Sequence, residues 1–207
     1  MDVNGQEIHA ITVYCASSNA APESAMALAR DCGRALAERG LTMVYGGGSI
    51  GMMGQAATAA LEAGGEVHGV ITHYLKKWEV AHADLTRLDV LETMHERKQR
   101  MTDLGDAFFV LPGGFGTLDE TIEAITWKQL HIHTKPIVLV NHGGYFDTLL
   151  AFFREAVEQR YIHEANMELF EVAEDIPGAF EALGRTRPPR AEANPLWQTP
   201  GAAWADS

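Results

Sequence analysis

Residues 107–120 have the sequence AFFVLPGGFGTLDE, and this stretch decides the fold. Its first five residues form a short apolar and aromatic run, which is typical of a buried strand. Beyond it, Ile122, Ile125 and Leu130 recur with helical spacing. The glycines in between predict a tight turn whose backbone N–H groups lie at the positive end of a helix, where an anionic ligand can approach the main chain. We therefore predict a strand, a glycine-rich turn and a helix that together form an anion site.

The same alternation of strand and helix runs through the chain. Apolar or alternating runs predict strands at residues 8–14, 41–45, 66–72, 87–91, 107–111, 137–140 and 169–172. Helical spacing predicts helices at residues 22–38, from about 55 to Gly64, and at 94–104, 117–130, 145–160 and 176–183, with a flap or a short helix between 73 and 86. This order predicts a three-layer α/β fold with a mainly parallel sheet flanked by helices.

Three loops that follow predicted strands carry the candidate binding groups. They are the loop with Ser17 and Ser18, the glycine-rich loop 46–54 and the loop 112–120. Ligands of parallel sheets bind at the carboxyl ends of the strands. We therefore expect all three loops to meet at one edge of the sheet.

The length and composition indicate an ordinary globular chain. It has 207 residues, of which 46% are hydrophobic and 21% are charged. This is long enough for one sizeable core, so we predict one domain over residues 1–184. From residue 185 the periodic pattern stops, and we predict an irregular or disordered tail over 185–207 despite Trp197 and Trp204.

The charge balance limits the kinds of partner. Sixteen basic residues against 28 acidic ones give a formal net charge of −12, which repels polymeric nucleic acid and anionic membranes. No long apolar run and no basic-then-apolar start is present in the sequence, so we expect a cytoplasmic protein. Cys15 and Cys32 lack metal-like spacing and are interpreted as reduced, structural residues.

A second glycine-rich turn follows the second predicted strand. Residues 46–51 read GGGSIG and match G-x-G-x-x-G. A dinucleotide site is disfavoured because the match follows the second strand and no acidic residue ends the third strand. A P-loop is excluded because no Lys-Ser or Lys-Thr follows either turn. A phosphate or ribose-phosphate cradle is the favoured interpretation, and a turn that serves only the fold is the alternative.

The candidate charged residues each have a structural alternative. Thr117 and Glu120 fit the capping box S/T-x-x-E, which would explain both without a ligand. Arg97 could lie on a solvated helical face or offer its planar fork to a phosphate or carboxylate. His131 and His133 do not share a helical face, so we predict no metal site. Trp127 is interpreted as a core or subunit-interface residue.

Three motifs in this order resemble the LOG ("lonely guy") family of cytokinin riboside 5'-monophosphate phosphoribohydrolases. They are YGGG followed by IGMM at 45–53, MHERK at 94–98, and PGGFGTLDE at 112–120. The resemblance extends over residues 11–183 and implies a Rossmann-like fold that is usually dimeric and sometimes hexameric. It also implies release of a free base and ribose 5-phosphate from a nucleoside monophosphate, with no cofactor.

The resemblance implies roles for individual residues. Arg97 and Glu120 correspond to the catalytic pair. The substrate and phosphate contacts would be Gly46, Gly47, Gly48, Glu79, Lys98, Gly113, Gly114, Phe115, Gly116, Thr117, Asp119 and Thr126. Asp119 stands where many plant members have glutamate.

These roles give a mechanistic hypothesis. The phosphate would lie on the glycine-rich turns, and Glu120 would stabilise an oxocarbenium-like state and orient or deprotonate the attacking water. Arg97 would position Glu120. We expect the helix dipole to keep Glu120 ionised. A non-catalytic nucleotide or molybdenum-cofactor carrier is the alternative function, whereas lysine decarboxylation would need a pyridoxal-phosphate lysine that no spacing suggests.

Overall fold

A seven-stranded parallel sheet forms the centre of the protein in a computed structural model that describes residues 1–3, 5–77 and 81–188. Its strands are β3 (Ala10–Tyr14), β4 (Thr42–Tyr45), β5 (Val67–Thr72), β6 (Arg87–Leu91), β7 (Ala107–Val110), β8 (Ile137–Val140) and β9 (Glu171–Ala173). A small antiparallel hairpin, β1 (Asp2–Val3) and β2 (Gln6–Glu7), precedes them and was not predicted. The predicted α/β class is confirmed.

Helices connect consecutive strands and cover both faces. They are α1 (Glu23–Glu38), α2 (Gly51–Glu62), α3 (His73–Lys76), α4 (Met94–Leu104), α5 (Phe115–Gln129), α6 (Asp147–Glu158) and α7 (Ile176–Leu183). Short 3-10 turns lie at His142–Gly144 and Glu164–Leu169. The last strand starts two residues later than predicted because the turn 164–169 occupies the preceding segment. Within the described residues, none of the helices has the length and apolar character that crossing a membrane requires.

The core has two apolar layers, one on each side of the sheet. One layer packs α1, α2 and α7 against the sheet, and the other packs α4, α5 and α6 against its opposite face. Strands β7 and β8 are completely buried, as expected for parallel strands covered on both faces. The three-layer arrangement follows from this double coverage.

The sheet reverses its order at one point, and this fixes where a ligand can bind. The strands lie in the order β6-β5-β4-β3-β7-β8-β9. Strands β4 to β6 are therefore added on one side of β3, and strands β7 to β9 on the other. Tyr14 lies opposite Val110 where these two strands end. In doubly wound folds the crevice at such a switch point is the usual ligand site. The loops after β3 and β7 border it.

Helix α5 begins two residues earlier than the sequence predicted. Phe115 is its first residue and Gly114 is its N-cap, with an extended backbone and no side-chain cap. Thr117 therefore lies inside the helix, and the structural alternative of a capping box formed by Thr117 and Glu120 is wrong. A complete capping box forms instead at α4, where Thr93 accepts from the Glu96 N–H and Glu96 accepts from the Thr93 N–H.

The predicted tail is described only in part. Residues 185–188 form neither a helix nor a strand. The rest of the tail, with Trp197 and Trp204, lies outside the described residues.

Candidate active site

A cleft of about 350 Å³ lies at the carboxyl edge of the sheet, beside the ends of β3 and β7. We call it the switch-point cleft. It is lined by the loop after β3 (Cys15, Ala16, Ser17 and Ser18), by Met53, Leu75, Met94 and Arg97 from α2, α3 and α4, and by Gly114, Phe115, Gly116, Thr117 and Glu120 from α5 and its preceding turn. All three predicted loops contribute groups at or beside it.

Arg97 is held in one orientation by three acceptors. Its Nε donates to the carbonyl of Val70 at 3.0 Å, Nη1 to Glu120 Oε1 at 3.1 Å and Nη2 to the carbonyl of Gly46 at 3.4 Å. The side chain is only 7% exposed. A guanidinium has donors in a fixed planar fork, so these bonds determine both its position and its plane. The alternative of a solvated helical face is therefore wrong for Arg97.

The first glycine of the second turn makes room for this guanidinium. A Cβ atom on Gly46 would lie 2.2 Å from Arg97 Nη2, which is closer than real contacts allow. Gly51, with φ of +60°, approaches the backbone of Ser17 so closely that a Cβ atom would lie 2.5 Å from its carbonyl carbon. Close packing therefore explains why both positions are glycine, without a ligand. Gly47 and Gly48 do not line the cleft, and the carbonyl of Gly47 accepts from His82 N–H.

Glu120 is a buried carboxylate that faces Arg97. Its side chain is 11% exposed. Burial raises the pKa of the Glu120 carboxyl from its ordinary 4.5 to about 7, although the neighbouring Arg97 acts in the opposite direction. The expectation that the helix dipole keeps Glu120 ionised is wrong. Because α5 starts at Phe115, Glu120 lies in the second turn, beyond the reach of the dipole, and loss of solvent dominates.

The glycine-rich turn before α5 is held firmly yet leaves space on one side. The Ala16 N–H donates to the carbonyl of Pro112 at 3.1 Å, which ties the turn to the loop after β3. A Cβ atom on Gly113 would lie 2.1 Å from Thr117 Oγ1, so that glycine is required by packing. At Gly114 and Gly116, by contrast, a Cβ atom would meet nothing within 4 Å. Both line the cleft, so the open space is available to a ligand.

Lys98 lies next to Arg97 in sequence but has a different environment. Its Nζ donates to Glu123 at 2.8 Å and to Asp119 at 3.1 Å. Although burial alone would lower the pKa of Lys98, these bonds raise it overall. Two ion-paired cations, Arg97 and Lys98, thus join α4 to α5. Neither Lys98 nor Asp119 lines the cleft, and their role as substrate contacts stays a prediction.

The remaining predicted residues are dispersed. Phe115 is 93% exposed at the rim of the cleft. The Thr126 hydroxyl donates to the carbonyl of Ile122, outside the cleft, and half-buried Trp127 lines a neighbouring surface hollow. Glu79 falls outside the described residues. Among the residues that the structure describes, no group of three or more potential metal ligands is present.

The match to known proteins covers this site. The sequence fits the family model described as "possible lysine decarboxylase" over residues 53–183. It is 42% identical over 174 residues to the cytokinin riboside 5'-monophosphate phosphoribohydrolase of Rhodococcoides fascians, covering 84% of this chain and 88% of that relative. The chain belongs to the LOG family. LOG5 of Arabidopsis thaliana is 37% identical over 188 residues, covering 91% of this chain and 82% of its own length.

Solved structures show the same fold at greater distance. The molybdenum cofactor carrier protein of Chlamydomonas reinhardtii superposes with a TM-score of 0.66 and 24% identity, over 86% of this chain and 96% of that one. The molybdenum cofactor binding protein of Rippkaea orientalis gives a TM-score of 0.64 and 20% identity, over 83% and 93%. At these identities the likeness supports the Rossmann-like fold alone, so it leaves the LOG-family assignment unchanged.

Several residues at this LOG-family cleft were not predicted as site residues from the sequence. Met53 and Leu75 line it from α2 and α3, and Tyr145 contacts the glycine-rich turn from the loop after β8. No local pattern marks Leu75. Tyr145 could have been considered from the sequence, because it lies in a loop that follows a predicted parallel strand, where ligand sites usually lie.

The two cysteines behave as predicted for reduced residues. Cys15 and Cys32 are both buried and free. Burial raises the pKa of each thiol, so neither has thiolate character near neutral pH.

Proposed function

We propose that this LOG-family chain hydrolyses the N-glycosidic bond of adenosine 5'-monophosphates, with or without an N6 substituent, and releases the free base and ribose 5-phosphate. The observation that carries the proposal is the buried Arg97–Glu120 pair, which shares one cleft with the open glycine-rich start of α5. Relatives named as cytokinin riboside 5'-monophosphate phosphoribohydrolases at about 40% identity support the same reaction.

The phosphate group occupies the start of α5. Backbone N–H groups of the first helical turn have no intrahelical acceptor and lie at the positive end of the helix dipole. The empty space at Gly114 and Gly116 lets an anion approach these groups. Ser17 and Ser18 also line the cleft and add hydroxyl groups. Each dipole interaction contributes roughly 0.3–2 kcal/mol.

Glu120 performs the central chemistry. As the C1'–N bond breaks, its electrons leave with the base, which takes up a proton from solvent, and positive charge develops at C1'. The ionised carboxylate stabilises this charge and takes a proton from the water whose oxygen bonds to C1'. Arg97 positions the carboxylate through the bond to Oε1. A pKa near 7 suits a group that gains and loses a proton near neutral pH.

The base occupies the apolar wall of the cleft. Met53, Leu75 and Met94 line the side contributed by α2, α3 and α4. Methionine side chains are flexible and polarizable and fit aromatic rings well. Such a wall accepts a purine ring and tolerates an apolar N6 substituent.

We infer that the active form is a homodimer. A groove of about 420 Å³ lies between α5, α6 and the turn 164–169, and its lining is almost entirely apolar. Phe152 is 60% exposed and Ile122 40% exposed at this groove. A second copy would remove this surface from water.

The "possible lysine decarboxylase" description does not fit the cleft. A pyridoxal-phosphate decarboxylase needs a lysine amine to bind its cofactor. The described cleft residues include no lysine, and Lys98 is bonded to two carboxylates. We therefore propose no decarboxylation.

The direct test is incubation of the protein with AMP and with N6-isopentenyl-AMP, followed by chromatography of the products. The proposal predicts free base and ribose 5-phosphate in equal amounts from at least one substrate. Adenosine and inorganic phosphate would indicate a phosphatase and contradict it. Tight nucleotide binding without cleavage of either substrate would favour the carrier function. The ratio of kcat/KM for the two substrates then defines the base preference.

A further inference from the structure

A tyrosine in the loop after β8 forms a hydrogen bond with the glycine-rich turn. Tyr145 Oη donates to the carbonyl oxygen of Gly113 at 2.6 Å. This is a short hydrogen bond between two loops that are 32 residues apart in sequence. It joins the carboxyl ends of the neighbouring strands β7 and β8.

Tyr145 is presented by a well-organised loop. The Asn141 side chain accepts from the Phe146 N–H at 2.6 Å and donates to Asp147 Oδ1 at 2.7 Å. The ring of Tyr145 packs edge-on against the buried ring of Phe146, with centroids 5.0 Å apart and planes at 83°. Gly144 has φ of +74°, a conformation that favours glycine and brings the chain into this turn. The hydroxyl position is therefore determined by the loop.

The carbonyl that accepts this bond belongs to the peptide that leads into α5. In a trans peptide the C=O and the following N–H point in opposite directions. Fixing the Gly113 carbonyl therefore also fixes the direction of the Gly114 N–H. A hydrogen bond to the carbonyl polarises the same peptide and makes its N–H a stronger donor. Gly114 lines the switch-point cleft and has open space beside it.

We propose that Tyr145 is a positioning residue for the phosphate end of the cleft. It acts through Gly113: its hydroxyl orients and polarises the Gly113–Gly114 peptide, so that the Gly114 N–H donates to the substrate phosphate. This inference rests on the proposed function for the identity of the anion. It does not place Tyr145 in contact with the reacting atoms.

The test compares Tyr145→Phe with wild type. The substitution removes the hydroxyl and keeps the ring against Phe146. The effect on binding is the loss of the Gly114 N–H bond to the phosphate, which is worth a factor of roughly five. We expect KM for AMP and the dissociation constant of ribose 5-phosphate, measured by calorimetry, each to rise roughly fivefold, with kcat within about a factor of two. The inhibition constant of adenosine, which lacks the phosphate, should not change.

A matched control is Tyr161→Phe. Tyr161 is 83% exposed in the turn after α6, so this variant should bind ribose 5-phosphate like wild type. Unchanged ribose 5-phosphate binding in Tyr145→Phe would overturn the inference. An equal rise in the inhibition constant of adenosine would also overturn the inference, because it would show that the substitution perturbs the whole cleft. Calorimetry measures binding and needs no turnover. If wild type binds ribose 5-phosphate but does not cleave AMP, the proposed hydrolysis is contradicted. The comparison of Tyr145→Phe with wild type still tests the role of Tyr145 in that case.

Discussion

At the level of single residues, Glu120 combines two properties that usually exclude each other. It is ion-paired with Arg97, yet burial raises its pKa to about 7. Desolvation therefore outweighs the nearby cation. The buried position lowers the free energy of unfolding as pH rises from 4.5 to about 7, because over this range the unfolded chain loses the Glu120 proton and the folded chain retains it.

The raised pKa gives a pH prediction. If Glu120 works as the carboxylate, kcat/KM must rise as pH increases through about 7 and level off above pH 8. This is measured with AMP between pH 5 and 9. The substrate phosphate titrates near pH 6, about one unit lower, and can be followed separately by phosphorus NMR. A kcat/KM that falls between pH 6 and 8 would contradict the assigned role.

Lys128 gives a stability prediction that is separate from catalysis. It is fully buried on α5, its Nζ has no hydrogen-bond partner, and burial lowers its pKa from 10.5 to about 8. The folded state thus resists protonation, so wild-type stability should rise as pH increases from 8 to 10.5. Lys128→Met should raise the free energy of unfolding by about 1–3 kcal/mol at pH 7 and remove this rise.

Urea unfolding at pH 7 and pH 9.5 measures the effect. The matched control is Lys135→Met. Lys135 Nζ donates to the carbonyls of Thr102 and Gly105 at the end of α4, so its replacement should destabilise the protein. Loss of stability in Lys128→Met at pH 7 would show that the ammonium is paired or hydrated in solution.

At the level of elements, α4 determines where Arg97 lies. Its first turn is closed by the capping box of Thr93 and Glu96, one turn before Arg97. Thr93→Ala should lower the free energy of unfolding by about 1 kcal/mol, because it removes the N-cap. Thr93→Ser keeps the capping hydroxyl and should lose only a small part of this free energy. Urea titration of both variants is the measurement. Equal losses in the two variants would mean that the methyl group matters and the cap does not.

Hydrophobic periodicity predicts most elements because each of them has a face that must be buried. All seven strands of the sheet and helices α4 and α7 follow from it with small errors at the ends. The start of α5 could not be predicted in the same way. The patterns at 93–96 and 117–120 both fit a capping box, yet only the first caps a helix, whereas Thr117 lies inside α5 and packs close to Gly113.

The site is only partly visible in the sequence for a related reason. The motifs identify Arg97 and Glu120 and the glycines around them. They do not show that Gly46 makes room for a guanidinium or that Lys98 joins two helices. Those facts depend on contacts between residues that are 21 and 51 positions apart in the sequence.

At the level of the whole molecule, the apolar groove beside α5 predicts association. Wild type should sediment as a dimer, and Phe152→Glu should sediment as a monomer because it places a charge in the proposed interface. Thr58→Glu, on the exposed face of α2, is the matched control and should remain dimeric. A wild-type monomer at micromolar concentration in analytical ultracentrifugation would contradict the proposed interface.

The central claim is that Glu120 makes this cleft a glycosidic hydrolase. The most direct measurement is adenine release from AMP at pH 8 by wild type and by Glu120→Gln, side by side. We predict that wild type releases adenine and ribose 5-phosphate together. The variant should be at least about 100-fold slower while its circular dichroism spectrum stays that of wild type, because Gln keeps the shape of the side chain and an Oε1 acceptor for Arg97. Equal rates of adenine release from the two proteins would contradict the account.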